Sequence, residues 1–142
     1  MTDTQTPLTI DRMQAMLDGS PFIHLLKMRV VSLDRENQKV VVDLPLSPEF
    51  ERHPGSRQFH GGVIASLIDV AGDFALAAIL GGGVPTINLR IDYLRPATGD
   101  LLNATAFVRR AGKTIGVVDV DVTDASSRLV AIGRGCYSMT VG

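Results

Sequence analysis

Residues 59–80 read FHGGVIASLIDVAGDFALAAIL, and the reading of that stretch decides the fold. From Gly61 onward apolar and small residues fall on nearly every side of a helical projection, so the run predicts one long helix covered on most sides. Gly81, Gly82, Gly83 and then Pro85 stop it. The length would suffice to cross a bilayer. Asp69 and Asp73 in its middle make that costly, and no second such run exists in the sequence. The expectation is a core helix, with no membrane partner. A helix built for burial still opens on His60-Gly61-Gly62 and carries two carboxylates, which calls for a chemical reason.

The flanking sequence supplies the cover. Before the helix, residues 9–17 place Ile10, Met13, Met16 and Leu17 at helical spacing with Thr9 as N-cap, and Gly19 with Pro21 ends that turn. Residues 28–33 and 39–46 read as two strands joined over 35–38, where Glu36 and Asn37 suit a turn, and 47–59 read as a loop. After the long helix the period changes to two. Ile87, Leu89, Ile91 and Tyr93 alternate with Asn88, Arg90 and Asp92, and Leu102, Ala104, Ala106 and Val108 with Asn103, Thr105 and Arg109. Val118, Val120 and Val122 follow the same rule, and residues 129–139 form a last strand. The connections are too short for crossover helices, so neighbouring strands pair antiparallel. The order helix, two strands, long helix, four strands is α+β, with a strongly curved antiparallel sheet wrapped around the central helix. Residues 1–142 read as a single domain, with residues 1–20 as an N-terminal helical extension.

Composition narrows the function. A net charge of −1 and the absence of Trp argue against a nucleic-acid partner. The single Cys136 excludes an internal disulfide, and His24, His53 and His60 lack metal-ligand spacing, so no metal is expected. The opening MTDTQTPLT has no basic or apolar signal region, which leads to the expectation of a cytoplasmic protein. Gly81-Gly82-Gly83 lacks the Gly-Lys-Ser/Thr of a phosphate loop, Gly133-Arg134-Gly135 lacks a third glycine, and there is no Gly-x-Ser-x-Gly elbow. Cys136 reads as a small strand residue.

The helix start offers chemistry. Its first N–H groups are unpaired and carry the positive end of the helix dipole. Glycine admits a ligand close to that backbone, so Gly61 suits polarising a carbonyl and holding an oxyanion, while close packing at a helix start is the plainer account of Gly61-Gly62. His60 could donate to the same ligand. Asp69, flanked by Ile68 and Val70, is either paired with a neighbour, part of a thin solvated stripe with Asp73, or a general base. Asp73 reads as structural. Asp69 follows His60 by nine residues, about half a turn out of phase and about 13 Å along the axis. Groups so placed on one chain do not meet at one reacting atom. Two such helices set antiparallel about a two-fold axis would bring His60-Gly61 of one chain beside Asp69 of the other, which predicts a homodimer with shared sites.

The run His60-Gly61-Gly62, then Asp69 on the same helix, then Ile91-Asp92-Tyr93-Leu94-Arg95-Pro96 in the next strand and a Gly112-Lys113 hairpin, resembles the hotdog-fold acyl-CoA thioesterases, specifically the phenylacetate-degradation (PaaI-like) family. The resemblance spans roughly residues 20–140. It implies a sheet wrapped around the helix, dimers pairing into tetramers, and hydrolysis of an acyl- or aryl-CoA thioester to free acid and CoA, with no cofactor beyond the CoA of the substrate. It places the Gly61 amide on the thioester oxygen, with Gly62 beside it, and His60 as the group that orients the thioester. Asp69 becomes general base or nucleophile, and Thr86 the hydroxyl that positions the water or the Asp. The family's Asn six residues before the His is Pro54 here, which leaves His53 or Gln58 to supply that contact. Arg57, Arg95, Arg109, Arg110 and Lys113 are candidates for the CoA phosphates. Phe50, Phe59, Ile64 and Leu67 are candidates for the acyl pocket. Two other readings compete: an enoyl-CoA hydratase or dehydratase on a related hotdog fold, and a non-catalytic acyl-CoA binding module.

Overall fold

A computed structural model describes residues 7–142; the polar residues 1–6, on which part of the localisation reading rests, lie outside the described residues. Thr9 caps α1, Ile10–Gly19, by accepting a hydrogen bond from the Arg12 N–H at 3.2 Å. Met13 and Leu17 of α1 are buried with Leu8 in the main core. α1 ends at Gly19, as the sequence analysis expects, but no second helix is expected there. Instead a second helix, α2, Pro21–Leu26, follows at once. Ser20 is extended and breaks the chain direction, and Pro21 then sits at the first helical position, where its missing N–H costs nothing and its fixed φ is already helical. Lys27, with φ 53°, closes α2 in the left-handed conformation.

The strands β1 (Arg29–Asp34), β2 (Lys39–Pro45), β3 (Thr86–Tyr93), β4 (Leu101–Ala111), β5 (Ile115–Thr123) and β6 (Leu129–Ser138) form one antiparallel sheet in the order β1-β2-β4-β5-β6-β3. The long helix α3, Gly61–Leu80, lies across its inner face and touches β2, β4, β5, β6 and β3. The period-two reading is visible in the burial: Val40, Val42 and Leu44 of β2, Leu102, Ala104 and Ala106 of β4, and Val118, Val120 and Val122 of β5 are all buried against α3. Small residues bring helix and sheet together. A Cβ at Gly133 would stand 2.5 Å from Ile68 Cγ2, and one at Gly116 2.6 Å from Leu76 Cδ1. α3 has the length and hydropathy of a membrane span, but ten of its residues, from Ile64 to Ala77, are buried inside this protein's own core. It ends where the glycine run predicts, with Gly81 at φ 85° donating its N–H to the Ala77 carbonyl.

β3 departs from its expected pattern. Leu89 and Ile91 are half-buried, but Ile87 and Tyr93, expected on the same face, are 57% and 52% exposed. The register slips between Thr86 and Asn88, which turns Ile87 out of the alternation. Among the described residues β3 pairs with β6 alone. The sheet therefore ends on an open strand edge carrying exposed apolar side chains.

Candidate active site

The start of α3 is wired so that one donor stays open. His60 is its N-cap: Nδ1 accepts from the Gly62 N–H at 2.9 Å, and the His60 carbonyl accepts from the Val63 and Ile64 N–H groups. Among the described residues the Gly61 N–H has no hydrogen-bond partner. An accepting Nδ1 puts the imidazole proton on Nε2, so His60 keeps one outward donor of its own. Gly62, expected to meet the substrate, spends its N–H on His60 instead. Tyr93 fixes the opposite side of the same peptide unit, its hydroxyl donating to the Gly61 carbonyl at 2.7 Å. Gly61, Gly62 and Tyr93 line an open cleft of about 500 Å³, together with Arg52, Gln58, Phe59, Ile64 and Arg95.

That cleft sorts the remaining expectations. Gln58 lines it, while His53 and Pro54 are exposed in the preceding loop. Phe59 and Ile64 line it; Phe50 and Leu67 are buried and do not. Of the five expected cations only Arg95 is there, joined by Arg52, which the sequence reading did not single out. Arg57 pairs with Asp100. Arg109 shares Asp119 with Arg134, at 3.4 Å and 2.6 Å. Arg110 and Lys113 are exposed at the β4–β5 hairpin.

The second cluster forms around Asp69, half-buried on α3. Its Oδ1 accepts from the hydroxyl of Thr86, the first residue of β3, at 2.7 Å, a contact that is one of the two the resemblance implies for Thr86. Beneath it, the fully buried Tyr137 of β6 donates its hydroxyl to the Asp69 carbonyl at 3.0 Å. Room for the Tyr137 ring exists because Gly72 and Gly135 lack side chains: a Cβ would stand 2.1 Å and 2.5 Å from its hydroxyl oxygen. Burial raises the Tyr137 phenol, and the charges of Asp69 and Asp73 raise it further, so it stays protonated and remains a donor. Asp73, one turn along α3, accepts the Val84 N–H at 2.8 Å. Its carboxyl is pushed up to about 6, chiefly by burial and additionally by the Asp69 charge, against the pull of the Val84 hydrogen bond.

The two clusters sit apart within one chain. Thr86 and Tyr93 are the first and last residues of β3, and each grips one end of the helix segment between Gly61 and Asp69. Seven strand steps separate them, about 23 Å. Neither tyrosine was read from the sequence as a site residue. Tyr93 looked like one more apolar position of an alternating strand, and Tyr137 like the end of the last. The available signal for Tyr137 was its company, a large ring beside Gly133 and Gly135.

An antiparallel sheet wrapped on a long helix that opens on His-Gly-Gly and holds an Asp in its middle defines a hotdog-fold enzyme. The family model described as the thioesterase superfamily matches residues 59–131, from the cap of α3 to β6. Acyl-coenzyme A thioesterase PaaI of Escherichia coli is 39% identical over 123 residues, covering 85% of this chain and 84% of that protein. A Halobacterium salinarum protein named as a candidate esterase is 36% identical over 135 residues, 87% of each chain. The solved structure of E. coli PaaI superposes with a TM-score of 0.77 at 30% identity over 91% of both chains. That of a zebrafish thioesterase superfamily member 2 superposes at 0.81 with 26% identity, over 94% of this chain and 99% of that one. The chain belongs to the thioesterase superfamily and is a PaaI-like thioester hydrolase.

Proposed function

We propose that the protein hydrolyses an acyl- or aryl-CoA thioester to the free acid and CoA, in a site shared between two subunits. The observation that carries this reading is the pairing of two half-sites at opposite ends of an open edge strand. One end holds a half-buried carboxylate seated on a hydroxyl, Asp69 on Thr86; the other holds an unengaged backbone donor, the Gly61 N–H, at a helix start. If β3 pairs antiparallel with β3 of a second copy about a two-fold axis, Thr86 of each chain comes opposite Tyr93 of the other. Asp69 then faces Gly61 and His60 of the partner subunit. The exposed Ile87 and Tyr93 supply apolar area for that contact, and the family resemblance extends it to a pair of dimers.

In such a site the thioester oxygen accepts from the Gly61 N–H and from His60 Nε2, both aimed by the positive end of α3. Asp69 takes a proton from water as the water oxygen bonds to the thioester carbon, or attacks that carbon itself and is freed by water. Collapse of the tetrahedral adduct breaks the carbon–sulfur bond, and the CoA thiolate takes up the proton. Arg95 and Arg52, which line the cleft, would take the CoA phosphates. No cofactor enters the scheme, and metal-free, cytoplasmic operation is part of the proposal. A hydratase would need Asp and His close together in one chain, and here His60 caps α3 while Asp69 lies nine residues further along it.

The deciding experiment is thiol release from a panel of aromatic and aliphatic acyl-CoAs by the wild type and Asp69→Asn. Loss of at least about a hundredfold in kcat in the variant, with the fold intact, is expected. Undiminished turnover by Asp69→Asn would overturn the assignment. Tight binding of acyl-CoA with no thiol release would establish a binding module instead.

A further inference from the structure

Asp73, one turn along α3 from Asp69, is a carboxylate that the scheme above leaves without a task. Its carboxylate does not face an open solvent stripe. Oδ1 takes the N–H of Val84 at 2.8 Å, and Gly83 comes so close that a Cβ there would lie 3.5 Å from Oδ2. Val84 is buried and stands two residues before Thr86. Thr86 in turn donates to Asp69 Oδ1 at 2.7 Å. The connection from α3 to β3 runs through three glycines and so has little stiffness of its own. Two carboxylates one helical turn apart thus hold it in tandem, Asp73 at its exit and Asp69 at the first residue of the strand.

We propose that Asp73 is a positioning residue for the reaction: it anchors Val84 so that the Thr86 hydroxyl, two residues on, meets Asp69. The inference rests on the catalytic reading of Asp69. The groups that act on Asp73 are few. Asp69 on α3 contributes a like charge, the Val84 N–H of the connection a hydrogen bond, and the Tyr137 hydroxyl of β6 lies in the same cluster and feels both charges. The carboxyl titrates at about 6. Below that pH the anchor on Val84 loses its charge and weakens, so turnover acquires an acid limb that belongs to Asp73.

Two substitutions separate the roles. Asp73→Asn keeps an acceptor for Val84 and removes the charge; Asp73→Leu removes both. Rates with benzoyl-CoA and hexanoyl-CoA are measured from about pH 5 to about pH 8, beside wild type and Asp69→Asn. For Asp73→Asn the expected result is a plateau lowered roughly threefold to tenfold, with the limb near pH 6 gone and KM held. For Asp73→Leu it is a loss of about a hundredfold, carried in kcat. A wild-type limb that persists unmoved in Asp73→Asn, with kcat unchanged, overturns the inference even if Asp73→Leu fails to fold. If Asp69→Asn is itself as active as wild type, it is the catalytic reading that has failed.

Discussion

The carboxylates of α3 show how burial divides labour between like residues. Asp69 is paired with a hydroxyl at 2.7 Å, and Thr86→Val should therefore lower kcat by about tenfold or more with little change in KM, read by steady-state thiol release. Asp73 carries a cost. A carboxyl raised to about 6 from its usual 3.8 binds its proton more tightly in the folded protein than in the unfolded chain. It therefore contributes stability at low pH that is lost as pH rises through that window, and above pH 6 its buried charge works against folding. Asp73→Asn should melt higher than wild type at pH 7.5, with the gap closing as pH falls from 6 toward 3.8; thermal melts across that range check it. At this scale the sequence exposed His60, Gly61 and Asp69 because polar and glycine residues are conspicuous on an apolar helix. It hid Tyr93 and Tyr137, whose rings look like core, and hid the commitment of the Gly62 N–H to His60, which is a matter of one side-chain rotamer.

Among the elements, α3 was legible because no other element explains twenty mostly apolar residues closed by a glycine run. The strands β4 and β5 followed from their strict alternation. α2 was not legible, since Pro21 both stops one helix and starts the next, and propensity alone does not say which. The exposure of β3 was not legible either, because its bulge and its edge position are set by its neighbours. α3 meets β6 closely at Tyr137. Gly72→Ala should cost about 1–3 kcal/mol in denaturant unfolding, as its Cβ would stand 2.1 Å from the Tyr137 hydroxyl. Tyr137→Phe alone should cost about 1 kcal/mol through the lost bond to the Asp69 carbonyl. The double variant should recover part of the Gly72→Ala loss, because the colliding oxygen is gone.

The whole molecule has one side that a single chain leaves unfinished, the β3 edge with Ile87 and Tyr93 exposed. If the proposed dimer forms across this edge, Ile87→Lys should yield folded monomers and abolish turnover at the same concentration; sedimentation and activity on one sample decide whether the two losses coincide. In the proposed dimer, the bonding of Asp69 and Gly61 to opposite ends of β3 has a genetic consequence. Every site would draw half its chemistry from each parent chain, so two inactive variants can complement each other. Gly61→Pro deletes the open N–H at a helix position that accepts proline, and His60, at φ −62° and ψ 141°, already has the backbone a following proline requires. Subunits of Gly61→Pro and Asp69→Asn, each dead alone, would on random re-pairing form mixed dimers with one doubly damaged site and one intact, restoring about a quarter of wild-type activity.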